Sequence, residues 1–207
     1  VFKKNINTVP VKLQFSPIIL SDKTVFLEVG DFKKDQITDS IWKEFKTAEI
    51  KIGGLEAVYL TENKTIIGFQ RLSALFKSNI PESLLPLMDN NFLIGIFNNK
   101  TTKDLFILLQ VSSFSDIFSP MLSWEKKLLF DFHGFFGVDI TPETNYLFLK
   151  DFEDGIVENK NARILYDKDR KIVMMYVFAD DKILIITNTQ TAAEEAMIRL
   201  SGSRVKK

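Results

Sequence analysis

From Thr24 to Val29 the chain reads TVFLEV, the β-branched and aromatic character of a strand, and Gly30 and Asp31 close it with a turn. A helix is predicted from about Lys33. Ile37, Ile41 and Phe45 fall at i, i+4 and i+8 with Trp42 beside them, while Lys34, Asp35, Asp39, Lys43 and Glu44 take the other faces. LEAVYL at 55–60 and the run 65–69, joined by TENK, then predict a β-hairpin. Leu72, Leu75 and Phe76 at i, i+3 and i+4 predict a second helix, ending near Asn79 because Pro81 disfavours helix at the residue before it.

FLIGIF at 92–97 and LFILLQV at 105–111 are almost wholly apolar, as central strands are, and the polar NNKTTKD between them predicts a second hairpin. Nearer the C-terminus, strands at 162–166, 172–178 and 183–187 are joined by DKDR and ADDK. The Asp residues of these connectors suit turns, so the three strands read as a meander. Thr189 caps a last helix with Ala192, Ala193, Ala196, Met197 and Leu200 on its apolar face and Gly202 at its end.

Between these blocks lies SFSDIFSPMLSWEKKLLFDFHGFFG, residues 113–137. Ser113 is placed to cap a helix, with Asp116 three residues on. Phe114, Ile117, Phe118, Met121, Leu122, Leu128, Leu129 and Phe132 follow helical spacing, and Glu125 is the polar exception in that stripe. Pro120 lacks an amide donor, so a kink in this helix is expected there. Residues 134–155 show no clear period.

These elements predict an α+β fold, a mainly antiparallel sheet with helices packed on one face. The order strand, helix, strand, strand, helix, strand over 24–97 is that of a ferredoxin-like (split βαβ) unit, and a partial echo from 105 onward suggests a second. The expected organisation is an extended N-terminal arm at 1–22 containing Pro10 and Pro17, a first unit at 23–98, a second unit at 99–202 packed on it, and a flexible tail at 203–207.

With 207 residues, 45% of them hydrophobic and 26% charged, the chain can build a real core as one larger domain or two small ones. Lys plus Arg and Asp plus Glu are 27 each and dispersed, which argues against attraction to phosphate backbones, so no nucleic acid partner is expected. The absence of Cys removes disulfides, thiolate metal sites and Cys nucleophiles together. No uncharged apolar run reaches the ~20 residues that span a bilayer, so membrane contact is expected only through a segment upstream of Val1.

His133 is the single imidazole, with no G-x-S-x-G elbow and no second His, so a structural or surface role is favoured for it. Gly-rich phosphate loops are missing as well. Asp151, Glu153 and Asp154 before Gly155 form a sparse acidic loop without the alternating ligands of an EF-hand. No catalytic, cofactor-binding or metal-binding residue is therefore assigned, and no cofactor is expected. The aromatic density around Gly134 and Gly137 instead nominates Trp124, Phe130, His133, Phe135 and Phe136 as a partner contact, provided some of the rings are exposed.

FLIGIF from Phe92, FILLQVSSFSDIF from Phe106, MLSWEKKL from Met121, the Phe135-Phe136-Gly137 turn, NARILYDKDRKIVMMYVF and ILIITNT together resemble the C-terminal domain of an uncharacterised family of bacterial membrane-anchored proteins. The resemblance covers most of the chain. It implies a domain that follows a single transmembrane helix and an extracytoplasmic setting, and it carries over no catalytic residues. Pro120 departs from the small residue expected at its position. The expected function is a non-catalytic binding or scaffolding domain of the cell envelope, with an envelope protein as its partner. The competing expectation is a cofactor-free hydrolase using Asp and Glu, the abundant acid–base residues. Self-assembly through strand edges is a third, and the oligomeric state is left open.

Overall fold

The computed structural model describes residues 16–204. Residues 1–15 of the expected arm, Pro10 among them, and 205–207 of the expected tail lie outside the described residues. The elements run in the order β1 (Lys23–Glu28), α1 (Lys34–Thr47), β2 (Leu55–Glu62), β3 (Thr65–Ile66), α2 (Phe69–Phe76), β4 (Met88–Asn98), β5 (Lys103–Val111) and α3 (Phe114–Phe132). They continue with β6 (Glu153–Val157), β7 (Lys160–Tyr166), β8 (Ile172–Phe178), β9 (Ile183–Thr187) and α4 (Gln190–Arg204). Among the described residues the strands form one sheet of nine, in the order β1-β2-β4-β5-β9-β8-β7-β6 with β3 beside β2. The fold is α+β and the sheet is mostly antiparallel.

Among the described strand pairs only β1 and β2 run parallel, from Lys23 opposite Glu56 to Glu28 opposite Thr61, with α1 as the crossover that parallel neighbours require. In a split βαβ unit an antiparallel strand separates the two parallel ones; here β1 is an outer strand directly beside β2, and β4 pairs on the other side of β2. The expected ferredoxin-like order is thus not the one formed. Strands β4 and β5 make a long hairpin from Phe92 opposite Leu109 to Asn98 opposite Lys103, so the junction of residues 98 and 99 falls where this hairpin turns, within one continuous sheet. The hairpin β2–β3 is shorter than its sequence suggests. Asn63 and Lys64 both adopt positive φ, as a two-residue type I′ turn demands, and α2 already begins at Phe69, whose ring is buried.

Side chains alternate between two apolar layers. Val58, Leu60, Ile94, Ile96, Ile107, Leu109, Tyr176 and Phe178 point to one face, under α1, α2 and α3. Leu55, Ala57, Leu93, Phe106, Leu108, Met175, Val177 and Ile185 point to the other, with Ala192, Ala193, Ala196 and Leu200 of α4. Helices therefore cover both faces, which corrects the one-face expectation for α4. The physical reason is in β4, β5 and β9, whose central residues are apolar on both sides and need cover on both. The alanines let α4 approach closely, and this helix continues through Gly202 to Arg204.

On that second face Gly95 of β4 stands opposite Phe106 of β5, and the Phe106 ring occupies the space a β-carbon at Gly95 would need. On the first face α3 is capped as predicted, Ser113 Oγ accepting from Asp116 N at 3.2 Å, and it runs unbroken through Pro120 to Phe132. A 3-10 turn, His133–Phe136, follows and ends at Gly137 with φ +67°.

Candidate functional site

Three of the five residues nominated as partner contacts are core residues. Trp124 is fully buried and donates its indole N–H to Asp131 Oδ2 at 2.8 Å; Phe135 and Phe136 are buried as well. The 3-10 turn after α3 folds inward, so that Phe135 packs 5.5 Å from Phe132 and 5.4 Å from Phe76 of α2. Burial against these rings accounts for the aromatic density around the two glycines.

Phe130 and His133 remain at the surface and are brought together on one ring. Phe130 is 45% exposed and meets Phe148 edge-on at 5.2 Å, and His133 meets the same ring at 5.9 Å. His133 Nδ1 lies 2.7 Å from the Val138 carbonyl, which can only accept, so this nitrogen carries a proton. A cleft of about 220 Å³ beside it is also lined by Lys34, Asp35, Asp39 and Asp139. Lys34 Nζ donates to the Phe130 carbonyl at 2.7 Å; burial pulls its pKa down while the Asp131 charge opposes that shift. These two hydrogen bonds tie the C-terminal end of α3 to its surroundings.

A larger feature lies at the other end of α3. Between this helix and β6, over the first face of the sheet, an open groove of about 480 Å³ has Phe114 and Phe118 as one wall and Ile156 as the other, with Asn161 and Phe178 on its floor. Phe118 is 38% and Ile156 72% exposed. Phe114 is fixed against Phe178 at 4.8 Å and against Phe118 at 5.2 Å.

At one end of the groove lies a charged network. Arg163 donates from Nε and Nη2 to the two oxygens of Glu125 at 2.8 and 2.9 Å, from Nη2 to the Phe152 carbonyl at 2.9 Å, and from Nη1 to Asp154 Oδ1 at 2.7 Å. Tyr176, directly across from Arg163 in the β7–β8 ladder, donates to Glu125 Oε1 at 2.6 Å. The Glu125 carboxylate holds the Arg163 guanidinium firmly protonated. Burial raises the Tyr176 phenol pKa, and the same carboxylate raises it further. Glu125 was visible in sequence as the one polar residue in an apolar helical stripe. Its partner 38 residues away on β7 was not.

The acidic segment 151–154 does not form a cation loop. Glu153 and Asp154 belong to strand β6, where Glu153 pairs with Arg170 and Asp154 with Arg163. Among the described residues no group of three or more His, Asp and Glu side chains is placed to hold a metal ion. A carboxyl pair does exist under the end of α1. Glu56 of β2 is completely buried, 2.5 Å from Lys23 Nζ, and Glu44 lies beside it, its pKa raised by burial and by the Glu56 carboxyl. A substrate cannot reach Glu56, so this pair offers a hydrolase no accessible acid and base.

Of the Asp residues in the predicted turns, Asp167 and Asp180 bond the local backbone: Asp167 Oδ1 accepts from the amides of Asp169 and Lys171, and Asp180 Oδ1 from those of Lys182 and Ile183. No helix of the described residues is long and apolar enough to cross a membrane. Neither a family model, nor a curated protein, nor a solved structure matches the chain.

Proposed function

We propose that the chain is a non-catalytic binding domain of a bacterial envelope protein and that the groove between α3 and β6 is its contact surface. The observation that carries this reading is the combination of exposed apolar walls, Phe118 and Ile156, with a network at the groove's end whose buried members, Glu125, Arg163 and Tyr176, already satisfy one another. Such a bonded network holds that end of the groove rigid and preformed, and an apolar groove of this size is the usual form of a recognition site. Glu125, with both oxygens bonded, and Tyr176, with its hydroxyl donated, supply shape and stiffness in place of a free base or nucleophile. The envelope setting is supported by the sequence resemblance.

The test is site-specific photo-crosslinking in cells, with a photoreactive phenylalanine analogue at Phe118 and, as control, at Ile198, which is exposed on α4 across the sheet. A discrete protein adduct at 118 that is missing at 198 is expected, recovered with the envelope fraction. The same adducts at both positions, or none at 118, would remove the groove as the contact surface. Recovery of the protein in the cytosol would remove the envelope setting.

A further inference from the structure

We propose that the groove receives a lysine or arginine side chain of a partner polypeptide, flanked by apolar residues. This rests on the groove being the contact surface. In the network at its end two carboxylates, Glu125 and Asp154, face one guanidinium, so the cluster holds one net negative charge. The exposure of its members decides what a ligand meets. The side chains of Glu125 and Arg163 are only 9% and 19% exposed, while that of Asp154 is 94% exposed.

The reachable charge is therefore the Asp154 carboxylate. A second carboxylate stands near the opposite end, where Asp181 Oδ1 accepts from the Phe114 amide at 3.1 Å. The cation of the same loop, Lys182, is engaged with the Ser112 carbonyl.

An anionic ligand would have to displace Asp154 from Arg163 and would then sit beside Glu125, so carboxylates and phosphates are disfavoured. A neutral apolar ligand would leave the exposed carboxylate without a new partner. A long cationic side chain meets both demands. Its methylene stem lies along Phe114 and Phe118 and its head reaches Asp154, with the aromatic faces adding cation–π attraction. Apolar neighbours in the partner cover Ile156.

The test is titration of the ¹⁵N-labelled protein with the blocked peptide Ac-Ala-Leu-Lys-Leu-Ala-NH2 and with counterparts carrying norleucine or glutamate at the centre. Amide shifts are expected to concentrate at 114–118 and 154–163. The lysine peptide should bind about fivefold more tightly than the norleucine peptide, as one exposed charge contact allows, with the glutamate peptide weakest. Asp154→Asn, a substitution at an exposed position, should abolish the lysine advantage, and Phe118→Ser should weaken both peptides.

Equal binding of lysine and norleucine peptides in the groove would overturn the charge assignment and leave the contact surface standing. Preference for glutamate, or a lysine advantage that survives Asp154→Asn, would overturn it too. So would groove shifts that grow with protein concentration before any peptide is added, which would make a second copy the occupant. Failure of the crosslink at Phe118 would instead bring down the contact surface itself.

Discussion

The indole N–H of Trp124 donates to Oδ2 of Asp131 at 2.8 Å, seven residues along the same helix, and both side chains are buried. Asp131 also accepts from the Asn79 amide, at 2.9 Å to Oδ2 and 3.1 Å to Oδ1, and from Asn79 Nδ2 at 2.7 Å. One aspartate thus joins α3 to the loop after α2. Buried ionisable groups draw attention as candidate chemistry, but here every donor is structural.

Asp131→Ala leaves the indole N–H and two Asn79 donors without partners in the interior, and a loss of about 3 kcal/mol is expected. Trp124→Phe removes one of these bonds and leaves Asp131 still bonded to Asn79, so a smaller loss of about 2 kcal/mol is expected. Urea denaturation of both variants checks the order. A loss below about 1 kcal/mol for Asp131→Ala would mean that this junction is not held by the carboxylate.

Asp22 ties the start of β1 to its neighbours. The hydrogen bond from Lys51, the Leu55 amide and the charges of Lys51 and Arg199 outweigh burial and bring its pKa down to about 2. A carboxyl whose folded pKa is depressed contributes stability above its ordinary value of 3.8, and loses it as pH falls through 2. Because the side chain is 31% exposed, solvent screening reduces the contribution to about 1 kcal/mol. Asp22→Asn should be less stable by that amount at pH 7, and the difference should shrink below pH 3.8 and vanish once the pH is below about 2, as measured by urea midpoints.

Glu44 has the opposite sign. Burial and the neighbouring Glu56 carboxyl raise its pKa, against the weaker pull of Lys23 and Lys103. The folded state then holds this proton more tightly than the unfolded chain, so the group costs stability as pH rises from the ordinary carboxyl value through the raised one. Glu44→Gln is expected to be as stable as the parent in acid and more stable at pH 7, by at most about 1 kcal/mol. Thermal melts across pH 4–8 read the difference, and a variant destabilised at pH 7 would contradict it.

Gly95→Ala places a methyl where the Phe106 ring lies. Overpacking of this kind costs about 1–3 kcal/mol. The same change in a Phe106→Leu background should cost less, and additive losses in the double-mutant cycle would show that the ring is not the obstacle.

The local pattern of the chain carried much of the fold. The strands at 55–60, 92–97, 105–111, 172–178 and 183–187, the cap at Ser113 and the apolar stripe of α3 all depend on interactions between residues close in sequence. Their periodicities of two and 3.6 survive in any tertiary setting. The short strand β6 was not legible, since Glu153, Asp154 and Gly155 have little strand character of their own and are held by pairing with β7.

What the sequence by itself determined about this protein is an α+β chain with nearly all-apolar central strands, no thiol chemistry and no accumulation of one charge. Tertiary structure alone decided that β5 pairs with β9 across more than seventy residues, that α4 crosses to the second face, and that the rings after Phe132 turn inward. It also decided which groove remains open. The physical reason is the same in each case. Strand order and side-chain exposure are set by which distant apolar surfaces cover one another, and a one-dimensional pattern records that a residue needs cover without recording what covers it.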